Sequence, residues 1–278
     1  MMVKFGKRIS LNYKVISRRA IGASHKKRGV INQDNYKVKN EEITIIAVAD
    51  GHGNERCKYS HIGSYISVQS FCDVISTAYV EHPTPTDFKE YLSLGKSNLL
   101  PRNIVKSWQQ AVEIDFKTKR ERRNLKFYDS AIYELYGTTL LGLVLFDSYY
   151  FAVQLGDGDI IKLFEDGCSK HVNNNIPKIL GVETYSMSSK NAMNQFEFTL
   201  GNIFDDEKPI AGYLLSTDGL ANSFKNIDGF YELGKDYLNL IRNHGTEYVE
   251  KRMGNYLYQT SVHGSGDDIT LVIAIKQE

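Results

Sequence analysis

Proline, cysteine and net charge are all scarce in this sequence, and each shortage excludes something. Five prolines among 278 residues rule out Pro-rich or collagen-like architecture. The three cysteines (Cys57, Cys72 and Cys168) are odd in number and form no CxxC pair. Neither a disulfide framework nor a thiolate zinc site is therefore expected, and a reducing compartment is the simplest setting. Thirty-four Lys+Arg against 33 Asp+Glu leave a net charge of +1, which argues against bulk binding to nucleic acid or an anionic membrane. The longest apolar run, around Leu140 to Phe146, falls far short of the roughly 20 residues that span a bilayer. The opening MMVKFGKRISLNYK has no apolar core for a signal peptide. A cytoplasmic, soluble protein with no membrane or nucleic-acid partner is expected.

What is present is ordinary for a globular chain: 42% hydrophobic and 24% charged residues. Ile43–Ala49 (ITIIAVA) is a short β-branched run ending at Asp50-Gly51, which predicts a buried strand entering a tight turn. Mixed three- and four-residue apolar spacing predicts a helix from Cys57 to about Tyr79, broken by His82–Thr86 (HPTPT). A second helix is expected over Ile104–Lys126, ending in the basic run Lys117–Lys126. Strands follow at 138–146, 149–155 and 159–164, with Asp147-Ser148 and Asp157-Gly158 as hairpin turns. Residues 168–207 are polar and weakly periodic. Beyond them come a strand at 212–216, helices at 234–242 and 247–260, and a last strand at 269–275. No repeat and no Pro/Gly/Ser-rich linker divides the chain, so residues 1–278 are expected to form one domain mixing strands and helices.

Aspartates gather at the ends of these runs. Asp50 and Asp218 each close a strand, Asp267 and Asp268 precede the last one, Asp34 precedes the strand-like Tyr36–Lys39, and Asp157 sits in Gly156-Asp157-Gly158. Taken singly, Asp-Gly is a turn, because Asp caps the backbone and Gly accepts positive φ. Taken together, carboxylates at strand ends converge on one edge of a sheet layer. Such a cluster repels itself unless divalent cations neutralise it. Oxygen ligands with few His or Cys suit Mg²⁺ or Mn²⁺ rather than Zn²⁺. Two such ions about 3.5–4 Å apart would activate a shared water, and a phosphoryl group is the natural electrophile.

Six segments, in order, carry a resemblance: GASHKKRGVINQDN (22–35), VADGHGN (48–54), GTTL (137–140), QLGDGDI (154–160), LLSTDGL (214–220) and GDDITLVIAI (266–275). Through them the sequence resembles the metal-dependent, type 2C serine/threonine protein phosphatases, with a GxSHxxxGxxNQD opening closer to the bacterial branch. The resemblance implies an α+β fold, a four-layer α-β-β-α sandwich of two antiparallel sheets flanked by helices. It implies two Mg²⁺ or Mn²⁺ ions, with a third, weaker one, in a cleft at one end. By the same resemblance, Asp50 would bridge both metals and the Gly51 carbonyl would bind one. Asp218 and Asp267 would complete the second metal's shell, Asp34 would accept metal-bound water, and Asp157 would help hold the third ion. His52 would be the general acid for the leaving serine or threonine oxygen, which suits a side chain of unperturbed pKa about 6.5. The implied partners are a phosphorylated protein substrate and a Ser/Thr kinase whose work is reversed.

Three positions depart from the family pattern. Gln33 stands where an acidic residue is usual, Gly29 where a phosphate-binding arginine is usual, and Asp267-Asp268 where Asp-Asn is usual. Arg28, one residue upstream, is the candidate phosphate ligand, since a guanidinium grips phosphate bidentately; the alternative is a solvated loop side chain. Asp267 is assigned as the ligand by alignment to the following Ile-Thr, with Asp268 as competitor. His25 reads as a loop histidine bonded to backbone, Cys57 as a buried inert thiol, and Lys117–Lys126 as a solvated helix end. Residues 168–207 fall where the family carries a flap beside the cleft, and a flap shaping substrate choice is expected there. The first functional reading is an active phosphatase acting on phosphoserine or phosphothreonine. The alternative is a weakly active or inactive module that binds a phosphoprotein or kinase, favoured by Gln33 and the displaced arginine. A metal-dependent nuclease is disfavoured by the near-zero charge.

Overall fold

The structure, a computed structural model, describes residues 12–123, 132–173 and 184–277. The described strands form two five-stranded antiparallel sheets. The first runs β1 (Tyr13–Ala20), β10 (Ile269–Lys276), β9 (Ile210–Ser216), β6 (Asp159–Phe164), β7 (Ser169–His171). The second runs β2 (Asn35–Asn40), β3 (Thr44–Ala49), β4 (Leu140–Phe146), β5 (Tyr149–Leu155), β8 (Glu197–Asn202).

The inner strands read as unbroken apolar runs because both of their faces are covered. In β3, Ile46 and Val48 point between the sheets, where they meet Tyr213, Leu215 and Val272. Ile45 and Ala47 point the other way, into a core shared with α2 (Ser60–Glu81), α3 (Pro85–Gly95) and α4 (Leu99–Arg123). The outer face of the first sheet, with Ile16, Leu214, Leu271 and Ile273, is covered by α6 (Ile227–His244) and α7 (Thr246–His263), which follow the short α5 (Asp218–Ala221). The four-layer α+β sandwich implied by the resemblance is thus the observed fold. Among the described residues no helix is long and apolar enough to cross a membrane.

Some elements depart from the sequence reading for local reasons. The HPTPT break is a stop followed at once by a start. The Thr84 side chain accepts from the Asp87 backbone N–H and Pro85 opens α3, a Pro-at-N1 arrangement that the breaker reading passes over. Helix α4 begins five residues before the expected Ile104, because Pro101 falls in its first turn, where proline is tolerated. The end of the basic run, residues 124–126, lies outside the described residues. The weakly periodic stretch 168–207 contributes two edge strands, β7 on β6 and β8 on β5. Edge strands half open to solvent carry polar residues and blur the alternation. The segment left between them for a flap includes residues 174–183, which lie outside the described residues.

Register fixes where the site is built. Asn35 pairs with Ala49, Val48 with Leu141, and Leu140 with Leu155. In the other sheet Ala20 pairs with Ile269, Leu271 with Ser216, and Asp159 with Ser216. The turns carrying Asp34, Asp50, Asp157, Asp218 and Asp267 therefore all lie at one end of the sandwich.

Candidate metal centre

Asp50, at the end of β3, is the hub. Burial, together with the neighbouring carboxylates of Asp34, Asp218 and Asp267, pushes its pKa well above the ordinary carboxylate range. Asp34 is fully buried. Burial, and after it the Asp268 charge, raises it to about 8 against the pull of hydroxyl donors. Those donors are Thr217 and Thr270, whose Oγ1 atoms lie 2.7 and 2.8 Å from Asp34 Oδ2. They come from the first sheet, so Asp34 joins the two sheets at the cleft. Its Oδ1 is buried with no donor.

The turns approach one another closely because glycine permits it. A Cβ on Gly51 would sit 2.7 Å from the Gln33 carbonyl oxygen and 2.8 Å from that of Ser60, and one on Gly219 would sit 2.1 Å from the Asp268 carbonyl oxygen. Among the described residues no three acidic, His or Cys side chains are drawn to ligand spacing. The fit to a cation rests instead on the donor set. Four facing carboxylates beside the Gly51 backbone are hard oxygens whose shared charge a divalent cation would offset.

Asp267 and Asp268 have different surroundings. Asp268 is buried and committed: its Oδ1 accepts the Gly22 N–H at 2.6 Å and its Oδ2 the Gln33 N–H at 2.7 Å. The Asp267 side chain is half exposed, faces Asp50 and accepts the Asp268 N–H at Oδ1. His25 is not a loop residue. It is buried on the short helix α1 (Ala23–Arg28), with Nδ1 3.0 Å from Asp268 Oδ2 and Nε2 4.0 Å from Asp267 Oδ1. The usable signal was Gly29, which ends α1 at φ 68°, a helix C-terminal glycine.

Three further assigned residues make local contacts of their own. Asp157 lies in the β5–β6 turn and accepts from Thr184 Oγ1 at 2.7 Å. Arg28 is exposed, and its Nε donates to the Ser24 carbonyl, 3.3 Å away on its own helix. The cation that does reach the site's backbone is Arg19 of β1, which donates to the Asp34 carbonyl and to Asn35 Oδ1; the sequence reading did not single it out. His52 donates its backbone N–H to the Gly137 carbonyl at 3.0 Å. Its ring packs so closely that a Cβ on Gly137 would be 2.8 Å from Cδ2. An apolar groove of about 460 Å³ between α6 and α7, lined by Leu233, Tyr237, Leu240 and Tyr256, contains none of these carboxylates.

The raised carboxylates make stability depend on pH and cations together. Asp34 titrates near 8 in the folded chain and near 3.9 unfolded. The folded state therefore binds more protons in that window, and stability falls as pH rises through it. Metal-free protein is expected to melt at a lower temperature at pH 8 than at pH 5, and Mn²⁺ or Mg²⁺ to raise the melting temperature more at pH 8. Melting curves with chelator and with each cation test this; equal shifts at both pH values would contradict it.

A family model described as protein phosphatase 2C matches residues 21–258. No curated protein matches the chain. Among solved structures, a bacterial serine phosphatase is similar with a TM-score of 0.61 at 13% identity, over 96% of this chain and 98% of that one. Serine/threonine phosphatase Stp1 from Staphylococcus aureus is similar at 0.59 and 13% identity, over 99% and 100%. The catalytic domain of serine threonine protein phosphatase PstP, in complex with two manganese ions, is similar at 0.54 and 15% identity, over 96% and 100%. At these identities the structural likeness is one of fold.

Proposed function

Because the chain belongs to the protein phosphatase 2C family, we propose that it is a Mg²⁺- or Mn²⁺-dependent phosphatase that hydrolyses phosphoserine and phosphothreonine in proteins. The observation that carries the proposal is Asp50 facing Asp34, Asp218 and Asp267 at the end of the sandwich. Asp50, Asp218, Asp267 and the Gly51 carbonyl would hold two cations, Asp34 would accept from their water shell, and Asp157 would help hold a third, weaker ion. Bound cations would supply charge compensation for the phosphoryl oxygens and a nucleophilic water at neutral pH. Asp268 holds the Gly22 and Gln33 backbones and thereby the Asp34 turn. His52 would hold the proton destined for the leaving alkoxide. Arg28, exposed at the end of α1, would meet phosphate only from the solvent side of the cleft. The expected setting is one cytoplasmic domain acting on phosphoproteins made by a Ser/Thr kinase.

The test is hydrolysis of p-nitrophenyl phosphate and of a phosphothreonine peptide with Mn²⁺, with Mg²⁺ and with chelator. Metal-dependent turnover supports the proposal. A folded protein that binds Mn²⁺ yet turns over neither substrate would instead favour a phosphoprotein-binding module, the reading that Gln33 and the outward-lying Arg28 suggest.

The His52 role has its own test. A serine or threonine alkoxide leaves poorly without a proton, whereas p-nitrophenolate needs little help. His52→Gln is expected to lower kcat on the peptide by roughly 10²–10⁴-fold and to affect p-nitrophenyl phosphate much less. Equal losses on both substrates would remove the general-acid assignment.

A further inference from the structure

We propose that Gln154 is the positioning residue for the third, weaker cation: it fixes the turn that carries Asp157 and so sets that ion's affinity. The proposal rests on the reading of Asp157 given above. Gln154 is buried near the end of β5, on the face that Tyr150 and Ala152 turn toward the other sheet. Its Nε2 donates to the Gly156 carbonyl at 3.2 Å and to the Gly158 carbonyl at 2.8 Å. These are the residues on either side of Asp157, so one amide grips the turn before and after the carboxylate it presents.

The direction of these bonds is fixed by their chemistry. Carbonyls only accept, so Gln154 presents Nε2 to the turn and Oε1 away from it. Oε1 accepts from Asn173 Nδ2 at 3.1 Å. That leaves Asn173 Oδ1 as an acceptor, and the Thr199 hydroxyl donates to it. A chain of bonds thus runs from Thr199 on β8 through Asn173 and Gln154 to the turn. A buried amide is costly unless its atoms are bonded, and here both are. The Asp157 carboxylate has its own donor in Thr184, whose Oγ1 lies 2.7 Å from Oδ2. Asp159, the other aspartate of this stretch, is buried and lies 2.8 Å from His171 Nε2. Groups that orient a ligating carboxylate from behind set metal affinity along with the ligand itself. The competing account is a staple between the sheets, because Asn173 follows β7 of the first sheet and Thr199 lies on β8 of the second.

Titration of the full chain with Mn²⁺, read by calorimetry and by the electron paramagnetic resonance signal of the free ion, separates the two. Positioning predicts that Gln154→Leu weakens the weakest-bound Mn²⁺ roughly 10–100-fold and leaves the two tighter ions within about twofold. Asn173→Ala, at a half-buried position, should weaken the same ion, and it carries the test if Gln154→Leu does not fold. The double variant should bind that ion no worse than Gln154→Leu alone, because both residues act through one amide. A staple predicts a lower melting temperature with all ions weakened alike or none weakened, and either pattern overturns the proposal. Asp157→Asn serves as the reference. If it loses the weak ion while the other variants keep it, the positioning role falls and the third-ion reading stands. If it binds every ion as the wild type does, or if the wild type binds no third ion, the third-ion reading itself falls, and this inference falls with it.

Discussion

Replacing Asp50 with asparagine is expected to abolish cation-dependent hydrolysis while raising the melting temperature of the metal-free protein at pH 8. The two effects have one origin. Asp50 is half-buried and surrounded by three other carboxylates, so its charge is unfavourable until a cation offsets it. The isosteric amide removes that charge and keeps the shape. A bound cation supplies several kcal/mol of stabilisation to the reaction, and each 1.36 kcal/mol is tenfold in rate, so the loss of turnover should be about 10³-fold or more. The gain in melting temperature should shrink at lower pH, as the raised Asp50 of the folded chain takes up a proton and sheds its charge. Turnover with Mn²⁺ and melting curves with chelator, at both pH values, read the two arms separately. Activity within tenfold of wild type would remove Asp50 from the hub, and a lower melting temperature at pH 8 would refute the account of charge repulsion.

The largest stability effect is expected from Trp108→Ala. Trp108 is fully buried in α4, and its Nε1 donates to the Gly63 carbonyl of α2 at 3.0 Å. Gly63 in turn backs onto Tyr136, whose carbonyl oxygen would lie 1.9 Å from a Cβ at that position. Deleting the indole leaves a cavity where two helices and the 3-10 turn at Tyr133–Tyr136 meet, at a cost of about 3–5 kcal/mol. That is a large share of the ~5–15 kcal/mol that holds a typical domain folded. Urea unfolding should show a lower midpoint with an unchanged slope. Trp108→Phe, which keeps a ring and loses one hydrogen bond, should cost much less, nearer the ~0.5–1.5 kcal/mol of that bond. A Trp108→Ala cost below about 1 kcal/mol would mean that α2 and α4 are not packed as described.

The sequence made the interior strands legible and hid the edges. ITIIAVA and ITLVIAI announce themselves because a strand covered on both faces must be apolar throughout. Strand β1, with burial alternating irregularly over YKVISRRA, and β7, with only SKH, carry no such mark. The aspartates were legible for a related reason: each closes or precedes a recognisable strand. What could not be read was the division of labour between neighbours. Asp267 and Asp268 are alike in sequence, and only the Gly22 and Gln33 N–H groups, contributed from about 240 residues away, separate a backbone clamp from an available ligand. His25 was misplaced for the same reason, since its burial depends on Asp268 rather than on its own neighbours. Arg28 sits one residue from the family's arginine position, and α1 carries it outward to the Ser24 carbonyl.

The pairing of β1 with β10 sets a condition on how the protein is made. About 250 residues separate Ala20 from its partner Ile269, and β10 is also the strand that joins β1 to β9. During synthesis at roughly 5–20 residues per second, β1 waits on the order of tens of seconds for its partner. Throughout that interval β1 is an open edge, joined late in it by the β10-facing side of β9, and either can pair with another nascent chain. Asp267 and Asp268 arrive with the same late segment, so the cleft cannot close before the sheet does. A ribosome-bound chain halted before residue 267 should therefore be chaperone-dependent and unable to bind cations in the native manner, however well its second sheet has already folded.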